Sequence, residues 1–369
     1  MISEFLQQRI AAGDFPSAVY LIAEHGVIVL HEALGDAVLV PERIKAERDT
    51  IYDLASVTKV LVTGLLLAML IEEQHIGLET KVSDVLQSTD LGEIGGATVL
   101  DVATHFTGLP GWIPFYLLVG ERKEILDEIA RTPLSGKTVV YGDPNFWLLT
   151  FIVETLYGEP ITESARRLIF EPLGLKHTSY RPDPSMLRRV AAQETGNAFE
   201  RQLCRDLGYD LVTNRVTGDS GFRDDLIWGE VHDQNAWFFG NVCGHAGLFS
   251  TAEETLKIAL QFLPSSTAIL RPDTCSLFST NFTAGLDQHR SLAFELGSTP
   301  NSTAGARMSA EGFGHLGFTG TSLWIDPVKE RIFILFTNRT HQHELPLANI
   351  NPIRRRFNEL AADHLDGNR

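Results

Sequence analysis

The sequence is poor in cysteine and has no long uninterrupted apolar run. Its three cysteines, Cys204, Cys243 and Cys275, are odd in number and widely spaced. This spacing is typical neither of a disulfide framework nor of a metal site, so we expect free thiols in a reducing compartment and no bound metal. No run reaches the ~18 apolar residues of a membrane span. The apolar stretch at 60–71 therefore predicts a buried core helix.

Positive charge is scarce as well. The chain carries 31 lysine and arginine residues against 47 aspartate and glutamate residues, a net charge of −16. This excess argues against nucleic acid or an anionic membrane surface as a partner, because neither would meet a broad basic patch. The N-terminus, Met1-Ile2-Ser3-Glu4-Phe5, lacks the basic and then apolar regions of an export signal. We expect a cytoplasmic protein, with a periplasmic location only if a leader has been removed, and the composition indicates no oligomeric state.

The apolar patterns predict an α+β fold. Two short apolar runs at 18–23 and 27–32 flank Glu24-His25-Gly26, which indicates a hairpin. A second pair of strands is expected at 322–325 and 331–338, near the other end of the chain. Strands at both ends with helical patterns between them predict one antiparallel sheet built from both termini. Helices are expected to flank this sheet, and a mostly helical lobe to be inserted.

The same pattern divides the chain into two lobes. Residues 1–55 and 240–369 are expected to form the α/β lobe with the central sheet. Residues 56–239 are expected to form the helical lobe, including an irregular excursion at 176–235 that covers a cleft. The active site is expected between the lobes.

Ser56 and Lys59 are the first candidates for chemistry. They stand three residues apart, so on a helix their side chains lie on one face about one turn apart. A serine that opens a helix lies near unpaired backbone N–H groups and the positive end of the helix dipole. Burial of Lys59 would disfavour its ammonium form and make a neutral amine accessible. The pair predicts acyl transfer through a covalent serine ester without a cofactor, and a helix N-cap is the structural alternative for Ser56.

An activated serine also needs a proton relay and an oxyanion hole. Tyr141 precedes a predicted helix, and a phenol beside a lysine ionises more easily because the ammonium stabilises phenolate. Tyr141 is therefore the candidate proton shuttle. Gly317, in a glycine-rich segment before a predicted strand, lets a substrate approach the backbone closely. The backbone N–H groups of Ser56 and Phe318 are the candidate oxyanion-hole donors.

Three segments together resemble the motifs of the serine β-lactamase and penicillin-binding-protein superfamily. They are Ser56-Val57-Thr58-Lys59, Tyr141-Gly142-Asp143 and His315-Leu316-Gly317. With the segment at 244–251, they look most like the class C-like branch, which includes esterases, D-amino-acid peptidases and β-lactamase-related hydrolases. The resemblance spans roughly residues 15–340 and implies a β-lactamase/transpeptidase-like fold.

The resemblance also implies a role for each matching residue. Ser56 matches the acylated nucleophile, Lys59 the lysine of its proton network, and Tyr141 the general base or proton shuttle. Phe318 matches the residue whose N–H completes the oxyanion hole, and His315 takes the first place of the third motif. A histidine in the cleft would add pH dependence between about 6 and 7.

Two departures from the family motifs bear on the substrate. Asp143 stands where β-lactamases have an asparagine that holds the substrate amide, and a carboxylate cannot donate that bond unless protonated. His315 and Leu316 replace lysine and threonine, so a fixed cation for a β-lactam carboxylate is missing. Asp143, His315 and Gly317 remain the candidate substrate contacts.

These changes favour a small-molecule acyl substrate such as an uncharged ester. Three alternatives stay open: a weak class C-like β-lactamase, a D-amino-acid or D-peptide hydrolase, and a non-catalytic scaffold that retains the fold.

Overall fold

The computed structural model describes residues 1–87, 89–209 and 221–367. Its strands are β1 (Ser17–Glu24), β2 (Val27–Val38), β3 (Ile44–Lys45), β4 (Tyr52–Asp53), β5 (Phe249–Ser250), β6 (Glu295–Leu296), β7 (Phe313–Leu316), β8 (Ser322–Asp326) and β9 (Arg331–Thr337). Seven of them form one antiparallel sheet in the order β3-β2-β1-β9-β8-β7-β6. β4 and β5 pair separately. The predicted antiparallel sheet built from both ends of the chain is confirmed.

Helices cover the sheet and fill the sequence between its two halves. The α-helices of the described residues are α1 (Ile2–Ala11), α2 (Leu65–Glu72), α3 (Val82–Val85), α4 (Val99–Ala103), α5 (Phe115–Leu118), α6 (Ile125–Arg131), α7 (Asp143–Tyr157), α8 (Ile161–Ala165), α9 (Ala198–Asp206), α10 (Gln234–Phe238), α11 (Ala252–Ala259) and α12 (Asn351–Gly367). Shorter 3₁₀ and π-helical turns connect them.

The central strands β1, β9 and β8 are buried on both faces of the sheet. Along β1, Val19 and Leu21 belong to the larger apolar core, whereas Tyr20 and Ile22 face the core formed with α1 and α12. Successive strand residues point to opposite faces, so a strand covered on both sides reads as a continuous apolar run. This explains why β1 carries no alternating pattern, and it makes the sheet a rigid base for the residues at its edges.

A long helical segment runs through the larger core. It begins with a 3₁₀ turn at Ala55–Val57, passes through a π-helical stretch at Lys59–Gly64 and continues as α2. Among the described residues, Ala55–Glu72 is the one helical segment long and apolar enough to cross a membrane, with a mean hydropathy of 1.8. The protein buries 83% of it, as the core helix of a folded protein is buried.

The central part of the chain departs from the expected irregular excursion at 176–235. It contains α9, which is strongly amphipathic, and the short helix α10. Residues 210–220, within the same excursion, lie outside the described residues. The division into two lobes at 55 and 240 stays a prediction.

Candidate active site

A strained turn places Ser56 at the start of the core helix. Ala55, the residue before it, has φ +46°, a left-handed conformation that L-residues other than glycine rarely adopt. The buried carboxylate of Asp53 holds this turn, because it accepts from the N–H of Ala55 at 2.8 Å and from the N–H of His232 at 2.7 Å. Ser56 is left half-buried in the first helical turn, with its side chain at the edge of a cavity.

Lys59 lies directly beneath Ser56. Its side chain is fully buried, and its Nζ donates to Ser56 Oγ at 2.8 Å. It also donates to Asp143 Oδ1 at 2.6 Å and to the backbone carbonyl of His245 at 3.1 Å. An ammonium has three N–H groups, and each of them therefore has an acceptor. In this arrangement Lys59 has no lone pair with which to take the serine proton.

The charge of Lys59 differs from the one expected from the sequence. Burial alone would lower the pKa of the ammonium, but the Asp143 carboxylate and the Tyr141 phenol outweigh it, and the net pKa is raised above the ordinary lysine value. The expectation of a readily accessible neutral amine is therefore wrong. It considered burial alone, whereas the fold supplies an opposite charge at contact distance.

Tyr141 joins the pair from a segment far away in the sequence. Lys59 Nζ lies 5.2 Å from the centre of the Tyr141 ring, and Ser56 and Tyr141 line the same cavity. The ring packs between two histidines, with centroid distances of 4.8 Å to His105 and 5.6 Å to His315. The structure thus brings together Ser56, Lys59 and Tyr141.

Asp143 contacts the catalytic candidate itself. Its carboxylate forms the ion pair with Lys59, and it is not among the described residues that line the cavity. The expected contact of Asp143 with substrate stays a prediction. An aspartate suits this position because Lys59 presents a buried positive charge, which an asparagine amide would not neutralise.

A second buried ion pair lies behind Lys59. His245 Nε2 is 3.1 Å from Asp233 Oδ1, and the His245 side chain is fully buried. Burial would lower the pKa of His245, but Cys243, Asp233 and Asp143 together raise it well above the ordinary value. Lys59 and His245 are then two positive charges beside two carboxylates, so the buried cluster is balanced. Sequence analysis identified neither His245 nor Asp233 as part of this cluster.

The segment around His245 is locked to the core helix by glycine packing. A Cβ on Gly244 would lie 2.3 Å from Thr63 Oγ1 and 2.6 Å from Thr150 Oγ1. Thr63 Oγ1 donates to the Gly244 carbonyl at 2.7 Å, and the Gly244 N–H donates to Thr150 Oγ1 at 2.8 Å. These contacts fix the neighbouring carbonyl that accepts from Lys59.

His315 lines the cavity as a neutral side chain. Its Nδ1 lies 3.0 Å from the Leu316 carbonyl and therefore carries the proton. Burial, with Lys59 and Arg290 nearby, lowers the pKa of His315 well below the ordinary value. The predicted position in the cleft agrees with the structure, but the expected titration between pH 6 and 7 does not. His105, which sequence reasoning missed, is also held neutral by burial and accepts from the N–H of Gly142 at 3.2 Å.

The turn between β7 and β8 faces Ser56 and carries the second candidate oxyanion donor. Within the described residues the N–H of Phe318 has no hydrogen-bond partner. Thr319 Oγ1 donates to the carbonyl of Asp53 at 2.7 Å, and Thr321 Oγ1 donates to the carbonyl of Leu54 at 2.9 Å. The two halves of the candidate oxyanion hole are therefore tied to each other.

Glycine at 317 has a reason other than the expected approach of substrate. A Cβ at this position would lie 2.0 Å from Thr321 Oγ1 and 2.5 Å from the Leu54 carbonyl. Gly317 does line the cavity, but the structure requires glycine because this turn packs against the residues that precede Ser56.

The cavity in front of Ser56 has a volume of about 840 Å³. Its walls are largely apolar and include Phe199, Leu203, Leu316, Phe318, Leu345, Pro346 and Leu347. Three guanidinium groups also line it, those of Arg290, Arg339 and Arg354. Sequence reasoning missed all three arginines. The family motifs suggested a cleft without a fixed cation, and no local pattern identifies an arginine that only the fold brings to the cavity.

One cluster has the donor types of a metal site. Ligand atoms of Asp143, Asp233 and His245 lie within 4.8 Å of one another in the described part of the chain. The ammonium of Lys59 already contacts Asp143, and the imidazole of His245 already contacts Asp233. A metal ion would have to displace both contacts and face the charge of Lys59, so these residues do not fit a resident metal.

Comparison with known proteins shows the family of the chain. The sequence profile of the family described as Beta-lactamase matches residues 2–353. The chain belongs to the Beta-lactamase family. Its members have the β-lactamase fold of serine hydrolases, which agrees with the predicted fold class and with the resemblance carried by the three motifs.

Individual family members differ in their names. The chain is 31% identical to a putative D-alanyl-D-alanine carboxypeptidase of Salmonella enteritidis PT4, over 94% of this chain and 84% of the relative. Its fold is similar to that of a class C β-lactamase from Rhodobacter sphaeroides, with a TM-score of 0.73, 17% identity and 99% coverage of both chains. It is also similar to EstCE1, described as a hydrolase with promiscuous acyltransferase activity, with a TM-score of 0.72, 18% identity and 97% coverage of both chains. At these identities the two solved structures establish the fold alone.

Proposed function

We propose that the protein hydrolyses small esters or related acyl substrates through an acyl-enzyme at Ser56. The observation that carries the proposal is the contact of Ser56 Oγ with the buried Lys59 ammonium at the edge of a largely apolar cavity. A helix cap would need no buried ammonium on its hydroxyl. The reaction that we propose uses only side chains and backbone groups of the chain.

Proton transfer is assigned to Tyr141. Because each N–H of Lys59 already has an acceptor, the proton of Ser56 has to leave toward another group. We assign this role to the oxygen of Tyr141, because Tyr141 lines the same cavity as Ser56 and its ring lies against the Lys59 ammonium. Lys59 acts in this scheme as a fixed charge that holds the serine oxygen.

Acylation follows from these positions. Ser56 Oγ forms a bond to the substrate carbonyl carbon while its proton passes to the Tyr141 oxygen. The carbonyl electron pair moves onto oxygen, where the N–H groups of Ser56 and Phe318 stabilise the negative charge. When the intermediate collapses, the bond to the leaving group breaks, and the leaving group takes the proton from Tyr141. Water then repeats the sequence on the acyl-enzyme and releases the acid.

The test is ester hydrolysis with a matched serine control. Wild-type protein should hydrolyse p-nitrophenyl butyrate, and Ser56→Ala should lower kcat by at least ~10⁴-fold, as removal of a catalytic serine does. Ser276→Ala removes a hydroxyl from an exposed residue that donates only to the backbone, so it should behave as wild type. Equal hydrolysis by Ser56→Ala and wild type would refute the proposal.

A D-peptide carboxypeptidase is the second candidate, and the arginines of the cavity favour it. Arg339 and Arg354 line the cavity, and in the described part of the chain their side chains donate to backbone carbonyls and to the Asn351 amide, not to a carboxylate. Fixed positive charge at this site would suit a substrate that ends in a carboxylate. The name of the Salmonella relative points the same way. A D-alanyl peptide with a free C-terminus should then be cleaved faster than the same peptide with an amidated C-terminus.

Two further alternatives and the cellular location have separate tests. Nitrocefin turnover would identify a weak β-lactamase, and the absence of both turnover and labelling at Ser56 would indicate a scaffold. The cytoplasmic location expected from the sequence stays a prediction, which fractionation of the native cells can test.

A further inference from the structure

The oxyanion hole depends on the orientation of one peptide group. The candidate donor is the N–H of Phe318, and the same peptide unit carries the carbonyl of Gly317. Arg354, on the C-terminal helix α12, donates from Nη2 to this carbonyl at 2.5 Å. The same nitrogen donates to the carbonyl of Thr321 at 2.9 Å, which is across the turn. One guanidinium group therefore bridges both sides of the turn that carries the donor.

The bond from Arg354 fixes the direction of the Phe318 N–H. The cis peptide bonds of the described residues are both X-Pro, at Val40–Pro41 and Leu345–Pro346, so the peptide between Gly317 and Phe318 is trans. In a planar trans peptide the C=O and the N–H point in opposite directions. A guanidinium that holds the Gly317 carbonyl therefore also fixes the direction of the Phe318 N–H, which points away from that bond.

Arg354 has the chemistry for this task and no competing partner. It is only 4% exposed, and its hydrogen bonds in the described residues go to two backbone carbonyls and one amide oxygen, not to a carboxylate. Its Nη1 donates to Asn351 Oδ1 at 2.9 Å, one turn earlier on α12, which orients the group. A charged donor forms a stronger hydrogen bond than a neutral one, and the positive charge also polarises the peptide toward a better N–H donor.

Arg339 braces the next peptide of the same turn. Its Nε donates to the carbonyl of Phe318 at 2.7 Å, and its backbone N–H donates to the carbonyl of Thr319 at 3.0 Å. Burial lowers the pKa of Arg339 to about 10 and that of Arg354 to about 9, where Arg339 adds to the effect, and both groups stay charged at neutral pH. Two consecutive carbonyls of the turn are thus held by arginines. Arg354 on α12 holds the Gly317 carbonyl, and Arg339, just after β9, holds the Phe318 carbonyl.

We propose that Arg354 is a positioning residue for catalysis, which holds the Gly317 carbonyl so that the N–H of Phe318 points at the developing oxyanion. The inference rests on the proposed acyl-enzyme function, since it assigns a task within that reaction. It differs from a substrate-binding role, because the guanidinium acts on the backbone and needs no charged group on the substrate.

The expected effect of losing the guanidinium is on kcat. Removing an oxyanion-hole donor outright lowers kcat by ~10²–10³-fold. Arg354→Met leaves the donor in place but releases its peptide, so we expect a fall of roughly 10–100-fold in kcat for p-nitrophenyl butyrate. This ester is neutral, so KM should stay within about twofold. Arg354→Lys keeps the positive charge and a hydrogen-bond donor, so its kcat should fall less than that of Arg354→Met.

A matched control and a sulfur substrate separate positioning from general damage. Arg356→Met removes an exposed arginine from the same helix and should leave kcat unchanged. The thionoester analogue has a C=S group that accepts hydrogen bonds poorly, so the ratio of ester to thionoester turnover reports on the oxyanion hole. This ratio should fall in Arg354→Met, recover partly in Arg354→Lys and stay at the wild-type value in Arg356→Met.

Three results would decide against the proposal. A wild-type kcat in Arg354→Met overturns it, as does a lower kcat with an unchanged ester to thionoester ratio. If Arg354→Met does not fold, a wild-type ratio in Arg354→Lys with a reduced kcat overturns it as well. Failure of the proposed function is distinct from all of these, since it would appear as hydrolysis that persists in Ser56→Ala.

Discussion

Replacing Asp143 with asparagine should expose how the charge of Lys59 is maintained. The amide oxygen of the variant can still accept the hydrogen bond from Nζ, so mainly the negative charge is lost. Two unit charges 2.6 Å apart interact by about 6 kcal/mol at an effective dielectric constant of 20. Desolvation of the pair offsets part of this energy, and removing one partner of a buried pair costs about 3–5 kcal/mol. Because the hydrogen bond survives, we expect a loss of about 3 kcal/mol in the free energy of unfolding.

The pH range of this loss follows from the direction of the lysine shift. The pKa of Lys59 is raised in the folded protein, so its contribution to stability is fully present below the ordinary lysine value of about 10.4. It is lost only as the pH rises through the folded value. The difference between wild type and Asp143→Asn should therefore be constant from about pH 6 to 9 in urea unfolding experiments.

The same substitution should change the alkaline side of the rate profile. Without the carboxylate the pKa of Lys59 falls, the ammonium is lost at lower pH, and the serine oxygen loses the fixed positive charge beside it. The rate of inactivation by a fluorophosphonate should then decline at a lower pH in Asp143→Asn than in wild type.

The matched control for Asp143→Asn is Asp224→Asn. Asp224 pairs with Arg201 at a similar distance of 2.7 Å, but its side chain is 91% exposed. An exposed pair contributes little, so this variant should lie within about 0.5 kcal/mol of wild type. If Asp143→Asn matched this control in both stability and rate profile, Asp143 would not be the group that keeps Lys59 charged.

Three further predictions concern the surroundings of the site. The pKa of His315 is lowered well below its ordinary value, so kcat should be flat between about pH 6 and 8, and an inflection that disappears in His315→Asn would contradict this. Burial would raise the pKa of Asp233, but His245 lowers it to about 2, so its stabilising contribution is present above about pH 4 and is lost as the pH falls toward 2. Asp233→Asn leaves the buried imidazolium without its partner and should reduce the free energy of unfolding at pH 7 by about 3 kcal/mol, measured in urea, whereas no change would argue against a charged His245. Gly317→Ala places a Cβ 2.0 Å from Thr321 Oγ1, so the turn must shift and kcat should fall at least ~10-fold, and wild-type kinetics would show that this turn takes no part.

Local spacing was enough to predict the elements that depend on near neighbours. The Ser56–Lys59 contact follows from their three-residue separation, and the hairpin of β1 and β2 follows from a turn at Gly26, which has φ +74°. The cap of α11 is local in the same sense, because the Thr251 hydroxyl accepts from the N–H of Glu254, three residues further on. These features are determined by residues a few positions apart, which a sequence displays directly.

The charge of Lys59 could not be predicted in the same way. Whether Lys59 is charged depends on two opposing effects, burial and a nearby carboxylate. The sequence shows only the burial, because Lys59 lies in an apolar stretch. Asp143 is 84 residues away and the His245 carbonyl 186 residues away, and only the fold brings them to the same nitrogen. The π-helical stretch at Lys59–Gly64 could not be predicted from local sequence either. Gly64 is required by a long-range contact, because a Cβ at this position would lie 2.8 Å from the Cβ of Ala293.

The most direct test of the account is to identify the residue that carries the acyl group. Intact mass after incubation with a small ester and lactam library, followed by peptide mapping of the trapped species, would locate the adduct. A single acyl adduct should form on Ser56 in the wild-type protein and be lost in Ser56→Ala. An adduct on another residue would contradict the proposed acyl-enzyme at Ser56. So would ester turnover in which Ser56→Ala and wild type show the same increase in mass.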